Sequence, residues 1–310
     1  MKPAPFEYVR PRTVQEAVDA LTEHADAKVL AGGQSLIPLL SMRLASPATL
    51  VDLNRIEELA YVRTDHAGVR IGALARHAQV QRDDAAASRQ PLLRRALALV
   101  AHPTIRNRGT TVGSIAHADP AAEMPAVLAL LGGTVTARST GGERDIAAAD
   151  FFVGPLESAL RPDELATEAW VPALPSRSGV AIRELSRRHG DYALVGVAAM
   201  ITLQGDGLTA GGATVASARA AYFSIGDTPV VLDLTDAAEP GDWTAAAERA
   251  TAAVEPESDI HASADYRGHL VGVLTRQALA AAHDEAKLSG THGLWAQHVP
   301  DNSEDAGDHG

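Results

Sequence analysis

The sequence predicts an α+β fold, and three observations carry that expectation. Short apolar strands and amphipathic helices alternate through residues 1–175. A Pro-rich segment, "VPALP", closes that stretch and places a domain boundary near residues 172–178. Beyond it, strands with Gly turns come first and helices follow, from residue 176 to about 288.

The elements can be justified in order. In "PRTVQEAVDALTEH", Thr13 and Glu16 stand as N-cap and third helical residue, a reciprocal capping box, and Val14, Ala17, Val18 and Leu21 mark one helical face. "AKVLAGGQSLIPLLSMRL" reads as a strand, a Gly-Gly turn and a second helix. "ATLVDLNRI" is a strand, and "GVRIGALARHAQVQRD" is a strand leading into a helix. "PLLRRALALVA" is a helix with Pro91 in its first turn. "NRGTTVGSIAHADPAAEMPA" (107–126) reads as a small-residue loop that turns hydrophobic, and "MPAVLALLGGTVTARS" as a buried helix, a Gly-Gly stop and a strand. Residues 142–175 read as a connecting unit. After the boundary, "YALVGVAAMITLQGDGLTAGGATVASA" gives strands with Gly turns, and "WTAAAERATAAV" and "SADYRGHLVGVLTRQALAAAHDEA" give helices. No internal repeat or low-complexity run is seen.

Composition narrows the function classes. The 310 residues suffice for two domains, each with its own core. No stretch approaches the roughly 18 uninterrupted apolar residues of a membrane span, and "MKPAPFEYVRPRTVQEA" has no apolar core of a secretory signal, so a cytoplasmic location is expected. The chain has no cysteine, which removes disulfides, thiolate metal sites and any iron–sulfur cluster held by this chain alone. The net charge of −12, from 27 basic and 39 acidic side chains, disfavours nucleic-acid binding through a basic face. Asp301, Glu304, Asp305 and Asp308 lie in a tail without Lys or Arg, and residues 289–310 read as a disordered acidic tail.

Two loops carry the chemistry. In "LAGGQSL", Gly32 and Gly33 allow a sharp turn with bared N–H groups, and Gln34 and Ser35 add donors where a phosphate would sit. "GTTVGS" (109–114) offers a bare backbone at Gly113 and hydroxyls at Thr110, Thr111 and Ser114. Either alone is readable as a tight turn with no ligand; two anion-competent loops in one domain suit a dinucleotide. No G-x-G-x-x-G is present, and Lys2, Lys28 and Lys287 never follow a Gly, so neither a Rossmann fingerprint nor a P-loop is available.

"AGGQSLIPLL" followed by "IRNRGTTVGSIAHADPAAEMPAVLALL" resembles the FAD-binding medium subunit of the molybdenum hydroxylases, the xanthine dehydrogenase and carbon monoxide dehydrogenase family. "IRELSRRHGDYALVGVAA" (182–199) and "HASADYRGHLVGVLTRQAL" (261–279) extend the resemblance over about residues 3–285. The resemblance implies an FAD-binding domain of the vanillyl-alcohol-oxidase type at 1–175, with subdomains of about 1–57 and 58–175, and a C-terminal flavoprotein domain at 176–288. By the same resemblance, Leu30, Ala31, Gly32, Gly33, Gln34, Ser35 and Leu36, with Thr110, Thr111, Gly113 and Ser114, would hold the pyrophosphate and ribityl portions. Asp119 and Glu123 would accept hydrogen bonds from the flavin or the adenosine ribose, Asp191-Tyr192 would bring an aromatic ring near the isoalloxazine, and Leu165 would pack on the adenine or flavin side.

The family pattern has two glycines where this chain has Val112-Gly113, and often His where Gln34 stands. A left-handed backbone would strain Val112, so a β-branched conformation is expected there. His117, Asp119 and Glu123 match no standard metal spacing, and no metal is expected in this chain. His102 and His189 read as structural or solvated, Tyr192 alone as packing, and Arg106, Arg108, Arg187 and Arg188 as either phosphate or partner contacts.

The resemblance therefore implies an oxidoreductase subunit with no catalytic side chain of its own. Electrons would pass from two [2Fe–2S] clusters on a small subunit through FAD to NAD, a quinone or oxygen, after substrate oxidation at a molybdenum cofactor on a large subunit. A dimer of such heterotrimers is implied. The alternatives are a self-contained FAD-dependent oxidase or dehydrogenase of the same fold, and a scaffold that has lost its cofactor.

Overall fold

The computed structural model describes residues 1–205 and 213–295. The first unit is a three-stranded parallel sheet built from β1 (Glu7–Val9), β2 (Ala27–Leu30) and β3 (Thr49–Asp52), with β3 in the middle. Helix α1 (Val14–Glu23) crosses between β1 and β2, and α2 (Leu36–Met42) between β2 and β3. Thr13 caps α1 by accepting from the Glu16 N–H at 3.1 Å, while the Glu16 carboxylate reaches back to the Arg12 N–H at 2.7 Å.

The second unit is a five-stranded antiparallel sheet containing β4 (Val62–Thr64), β5 (Gly68–Gly72), β6 (Thr134–Ser139), β7 (Gly142–Ala147) and β10 (Leu165–Pro172), in the order β4-β5-β10-β6-β7. Between β5 and β6 run six helices: α3 (His77–Arg82), α4 (Asp84–Arg89), α5 (Pro91–Leu99), α6 (Pro103–Arg106), α7 (Thr111–His117) and α8 (Glu123–Leu131). After β7 come α9 (Ala148–Phe151) and a two-stranded hairpin, β8 (Phe152–Gly154) and β9 (Glu157–Ser158). The sequence reading of 142–175 as a connector is corrected here, because β10 is the central strand of this sheet. Its Leu165, Ala169 and Val171 are buried at alternate positions of the strand's core face, a signal that "ELATEAWVP" did contain.

The third unit is an antiparallel meander, β11 (Ser178–Ser186), β12 (Ala193–Gln204), β13 (Thr214–Phe223) and β14 (Val230–Asp233), covered by α10 (Thr244–Ala253) and α11 (Ala264–Trp295). The two faces of β12 divide the hydrophobic interior. Val195, Val197, Ala199 and Ile201 enter a core closed by Leu270, Val271, Leu274, Ala278 and Ala282 of α11, while Ala198 joins the core of the first two units. A Cβ on Gly179 would lie 2.0 Å from the Ala282 carbonyl oxygen, so only glycine lets α11 approach β11 this closely. Arg95 of α5 makes paired bonds to Glu285 of α11 at 2.5 and 2.8 Å, and Glu285 also accepts from the Val180 N–H at 3.1 Å, tying the units together.

Helix α11 runs to Trp295, past residue 289 where the sequence reading began its tail. Residues 296–310, and residues 206–212, where the sequence reading expects a Gly turn, lie outside the described residues.

Candidate functional site

The two expected loops meet backbone to backbone. A Cβ on Gly32 would stand 2.5 Å from the Arg108 carbonyl oxygen, 2.7 Å from Gly109 Cα and 3.0 Å from the Thr110 nitrogen. Gly33 takes φ +72, a left-handed turn that leads the chain from β2 into α2. Among the described residues, the N–H groups of Gly32, Gly33, Gln34 and Ser35 donate to no protein acceptor. Such a run of unsatisfied donors is a cradle for anionic oxygens. The Gln34 side-chain amide folds back onto the Gly32 carbonyl at 3.0 Å.

The second stretch corrects the sequence reading. Residues 111–117 form helix α7 rather than a loop, with Thr110 as its N-cap. The Thr110 hydroxyl accepts from the Gly113 N–H at 3.2 Å, and the Thr111 N–H donates to Ala75 at 3.2 Å. Thr111 is fully buried, and its hydroxyl meets His77 Nδ1 at 3.2 Å. Val112 is therefore helical and buried, with no left-handed strain. Of the three hydroxyls read as donors, those of Thr110 and Thr111 serve the fold, and Ser114 alone makes no bond among the described residues. The stretch buttresses the Gly32–Ser35 cradle from below.

A polar clamp that the sequence reading missed locks the two stretches together. Arg76 donates to the Arg108 carbonyl and to Asn54 Oδ1 at 2.6 Å, and Asn54 donates to the Ala31 carbonyl at 2.9 Å and to Asp52. Tyr8 donates to the other Asp52 oxygen. The only sequence signal was "VDLNRI" at the end of a strand, where an Asx pair commonly shapes a turn. Beneath the clamp lies His77, whose backbone N–H donates to Gly109 at 2.9 Å. Burial, with Arg106 adding to it, holds the His77 imidazole down to about 4, so it is neutral at physiological pH.

The far side of the site is built from side chains on two domains. Loop 118–122 joins α7 to α8, and its Ala118 carbonyl accepts from Leu156 at 3.0 Å while its Pro120 carbonyl accepts from Ser224 at 2.8 Å. Ala118, Leu156 and Ser224 all take positive φ (53, 59 and 63), so three strained non-glycine residues converge on one loop. Asp119 accepts from the Ala121 N–H at 2.9 Å. Burial, then the nearby Glu184 and Asp119 carboxylates, push Glu123 up to about 8 against the pull of its own helical N–H. Burial pushes Glu184 of β11 up to about 7, and its Oε2 is buried without a partner among the described residues. Sequence reasoning passed over Glu184. Tyr192 is 65% exposed at its surface; protein crowding around its hydroxyl, then the Asp119 and Glu123 charges, raise it to about 12. For His117, burial outweighs the Asp119 charge and lowers the imidazole.

Two expected site residues have their side chains engaged within the protein. Leu165 is buried in the main core, so its side chain is not available to a ligand. Asp191 is paired with Arg188 at 3.1 Å and Arg187 at 3.6 Å, which closes the turn before Tyr192. Among the described residues no group of three His, Cys, Asp or Glu side chains is placed to hold a metal, and no helix is long and apolar enough to cross a membrane.

Comparison with known proteins adds to this geometry. The family model for the FAD binding domain in molybdopterin dehydrogenase matches residues 4–174, and that for the CO dehydrogenase flavoprotein C-terminal domain matches residues 180–282. The chain is 40% identical to the 6-hydroxypseudooxynicotine dehydrogenase complex subunit alpha of Paenarthrobacter nicotinovorans, covering 93% of this chain and 97% of that one. It is 36% identical to the carbon monoxide dehydrogenase medium chain of Afipia carboxidovorans, covering 93% and 100%. The crystal structure of quinoline 2-oxidoreductase from Pseudomonas putida 86 superposes with a TM-score of 0.86 at 36% identity, covering 92% of this chain and 99% of that one.

Proposed function

Because the chain belongs to the family of FAD-binding medium subunits of molybdenum-containing dehydrogenases, we propose that it relays electrons from iron–sulfur clusters on a partner subunit, through FAD, to an external acceptor such as NAD, a quinone or oxygen. The single observation that carries this reading is the cradle itself, four consecutive N–H groups at Gly32–Ser35 that find no acceptor among the described residues and are packed against a buttressing second stretch. FAD, when bound, supplies a centre that can accept electrons singly and deliver them in pairs.

The chain's own residues bind, orient and tune. The N–H groups of Gly32–Ser35, with the Ser35 and Ser114 hydroxyls, would hold the pyrophosphate; Leu30 packs on Gly33 together with Ile37, Gly113 leaves room for the Thr110 hydroxyl and lies beside Ala31, and Leu36 would line the turn. Thr110 and Thr111 act behind this layer, as N-cap and as partner to His77. Asp119, Glu123 and Tyr192 would line the redox end, where Asp119 presents an acceptor and Tyr192 an exposed aromatic face. Glu123 retains a proton at neutral pH, so it can donate a hydrogen bond there. With no cysteine, the chain holds no [2Fe–2S] cluster, and clusters must come from another subunit. The partners proposed are a small iron–sulfur subunit and a large subunit with the molybdenum cofactor, paired as a dimer of heterotrimers. The location proposed is cytoplasmic.

Absorbance spectra of the chain alone and of the complex test this. Flavin bands in the lone chain, joined by iron–sulfur absorbance in the complex, are the expected result. Bleaching of the lone chain's flavin by an organic substrate would instead indicate a self-contained oxidoreductase, and a colourless protein in both preparations would remove the reading altogether.

A further inference from the structure

Arg267 lies in the second turn of α11, on the side of the C-terminal sheet away from the cradle. Its side chain is only 8% exposed. One terminal nitrogen donates both to the Leu194 carbonyl, at the start of β12, and to the Ser224 carbonyl at 2.9 Å, just beyond β13. The other terminal nitrogen pairs with Asp259 at 2.7 Å, and Asp259 is fixed in turn by the His261 and Ala262 N–H groups at 2.8 and 2.9 Å. Leu194 is the second residue of β12, next to Ala193, which pairs with Ser186 of β11, and Ser224 is the first residue after β13. Leu194 follows Tyr192 by two residues. Ser224 holds the left-handed φ of +63 and donates its N–H to Pro120, between Asp119 and Ala121, at 2.8 Å.

We infer that Arg267 is a positioning residue for the flavin end of the site: through Leu194 and Ser224 it fixes Tyr192 and the 118–122 loop in register with one another. This rests on the flavin reading for its purpose, though not for its geometry. The planar guanidinium suits the task because it spans two strand ends and a carboxylate at once, which a lysine ammonium on a single flexible stem does not. A left-handed non-glycine backbone persists only where its surroundings over-determine it, and at Ser224 the constraints are the Arg267 bond on one side and the Pro120 bond on the other.

The test compares Arg267→Met, Arg267→Lys and, as a control, Thr275→Val in the full chain. Thr275 is buried in the same helix and bonds to Tyr222 and to its own helix's Val271 carbonyl, with no bond to Leu194, Ser224 or the 118–122 loop among the described residues. Amide hydrogen exchange is read first, without added flavin. Arg267→Met is expected to speed exchange at the Ser224 amide and over 192–195 about tenfold or more, leaving 30–36 unchanged; Arg267→Lys falls between it and wild type. FAD titration and the visible circular dichroism of the bound flavin are read second. Affinity is expected to drop about tenfold in Arg267→Met, with an altered flavin dichroism, and to be retained in Thr275→Val. Exchange that stays at wild-type rates, or that rises evenly over the chain in both Arg267→Met and Thr275→Val, overturns the inference. If Arg267→Met does not fold, Arg267→Lys is decided by the same two readings. A wild-type chain that takes up no FAD, combined with the localised exchange, removes the flavin reading and leaves the coupling of the two segments standing.

Discussion

The two ends of the site are built from different materials. The cradle end is backbone: Gly32 and Gly33 turned against Arg108–Thr110, with the Arg76–Asn54 clamp closing it. The seam end is side chain: Asp119, Glu123, Glu184 and Tyr192, drawn from two domains around a strained loop. The difference shows in how each responds to protons. His77 under the cradle is held neutral, with its pKa depressed from 6.5 to about 4, so its contribution is present above pH 6.5 and lost as pH falls toward 4. Glu184 and Glu123 are raised from 4.5 to about 7 and about 8, so the folded state prefers them protonated, and stability declines as pH rises through that interval. The cradle is the acid-sensitive end and the seam the alkali-sensitive end.

That contrast can be broken at either end. The largest effect is expected from Gly32→Ala, because the new methyl group would collide with backbone atoms of Arg108 and Gly109 that have no rotamer by which to yield. Separating the two stretches should reduce FAD retention more than tenfold and destabilise the chain by about 1–3 kcal/mol; flavin stoichiometry after gel filtration reads the first, and denaturant unfolding the second. Wild-type stoichiometry in this variant would mean that the contact between the stretches does not matter to binding.

Next in size is His77→Gln. The wild type should lose roughly 2 kcal/mol between about pH 6.5 and 4 from this group, and the variant should be correspondingly flatter over that range while weaker at neutral pH. Unfolding midpoints across the acid range decide it. Glu184→Gln acts in the other direction: it should match the wild type near pH 5 and exceed it by roughly 1–2 kcal/mol near pH 8.5. A variant that gained nothing at alkaline pH would show that the seam carboxylates are relieved by some other means. The smallest effect belongs to Tyr192→Phe. The hydroxyl is lost but the exposed ring stays, so thermal stability should change by less than about 0.5 kcal/mol and flavin should be retained.

The cradle was readable in the sequence because glycine pairs, a capping Thr and small residues each act locally. Thr13 with Glu16, Gly33 before α2 and Pro91 at the start of α5 needed nothing beyond their neighbours to be interpreted. The same local rule misleads at 109–114, where small residues read as a loop. Thr110 is the N-cap of a helix whose Thr111, Gly113 and Ser114 amides already have acceptors within the protein. Leu165 shows the opposite failure. Its place in a motif suggested a ligand contact, while alternate burial along β10 puts its side chain in the core.

By itself the sequence determined the α+β class, the dependence on another subunit for any iron–sulfur centre, and the Gly-Gly turn on which the cofactor reading stands, because composition and short-range stereochemistry suffice for each. The tertiary structure alone decided that Asn54 and Arg76 clamp the cradle, that Glu184 faces Glu123 across a domain seam, and that Arg267 reaches the back of the site from the C-terminal helix. Those groups are separated by tens of residues along the chain. Their hydrogen bonds, their burial and the displaced protonation of the acids arise only when the sheets and helices bring them together in a medium from which water is excluded.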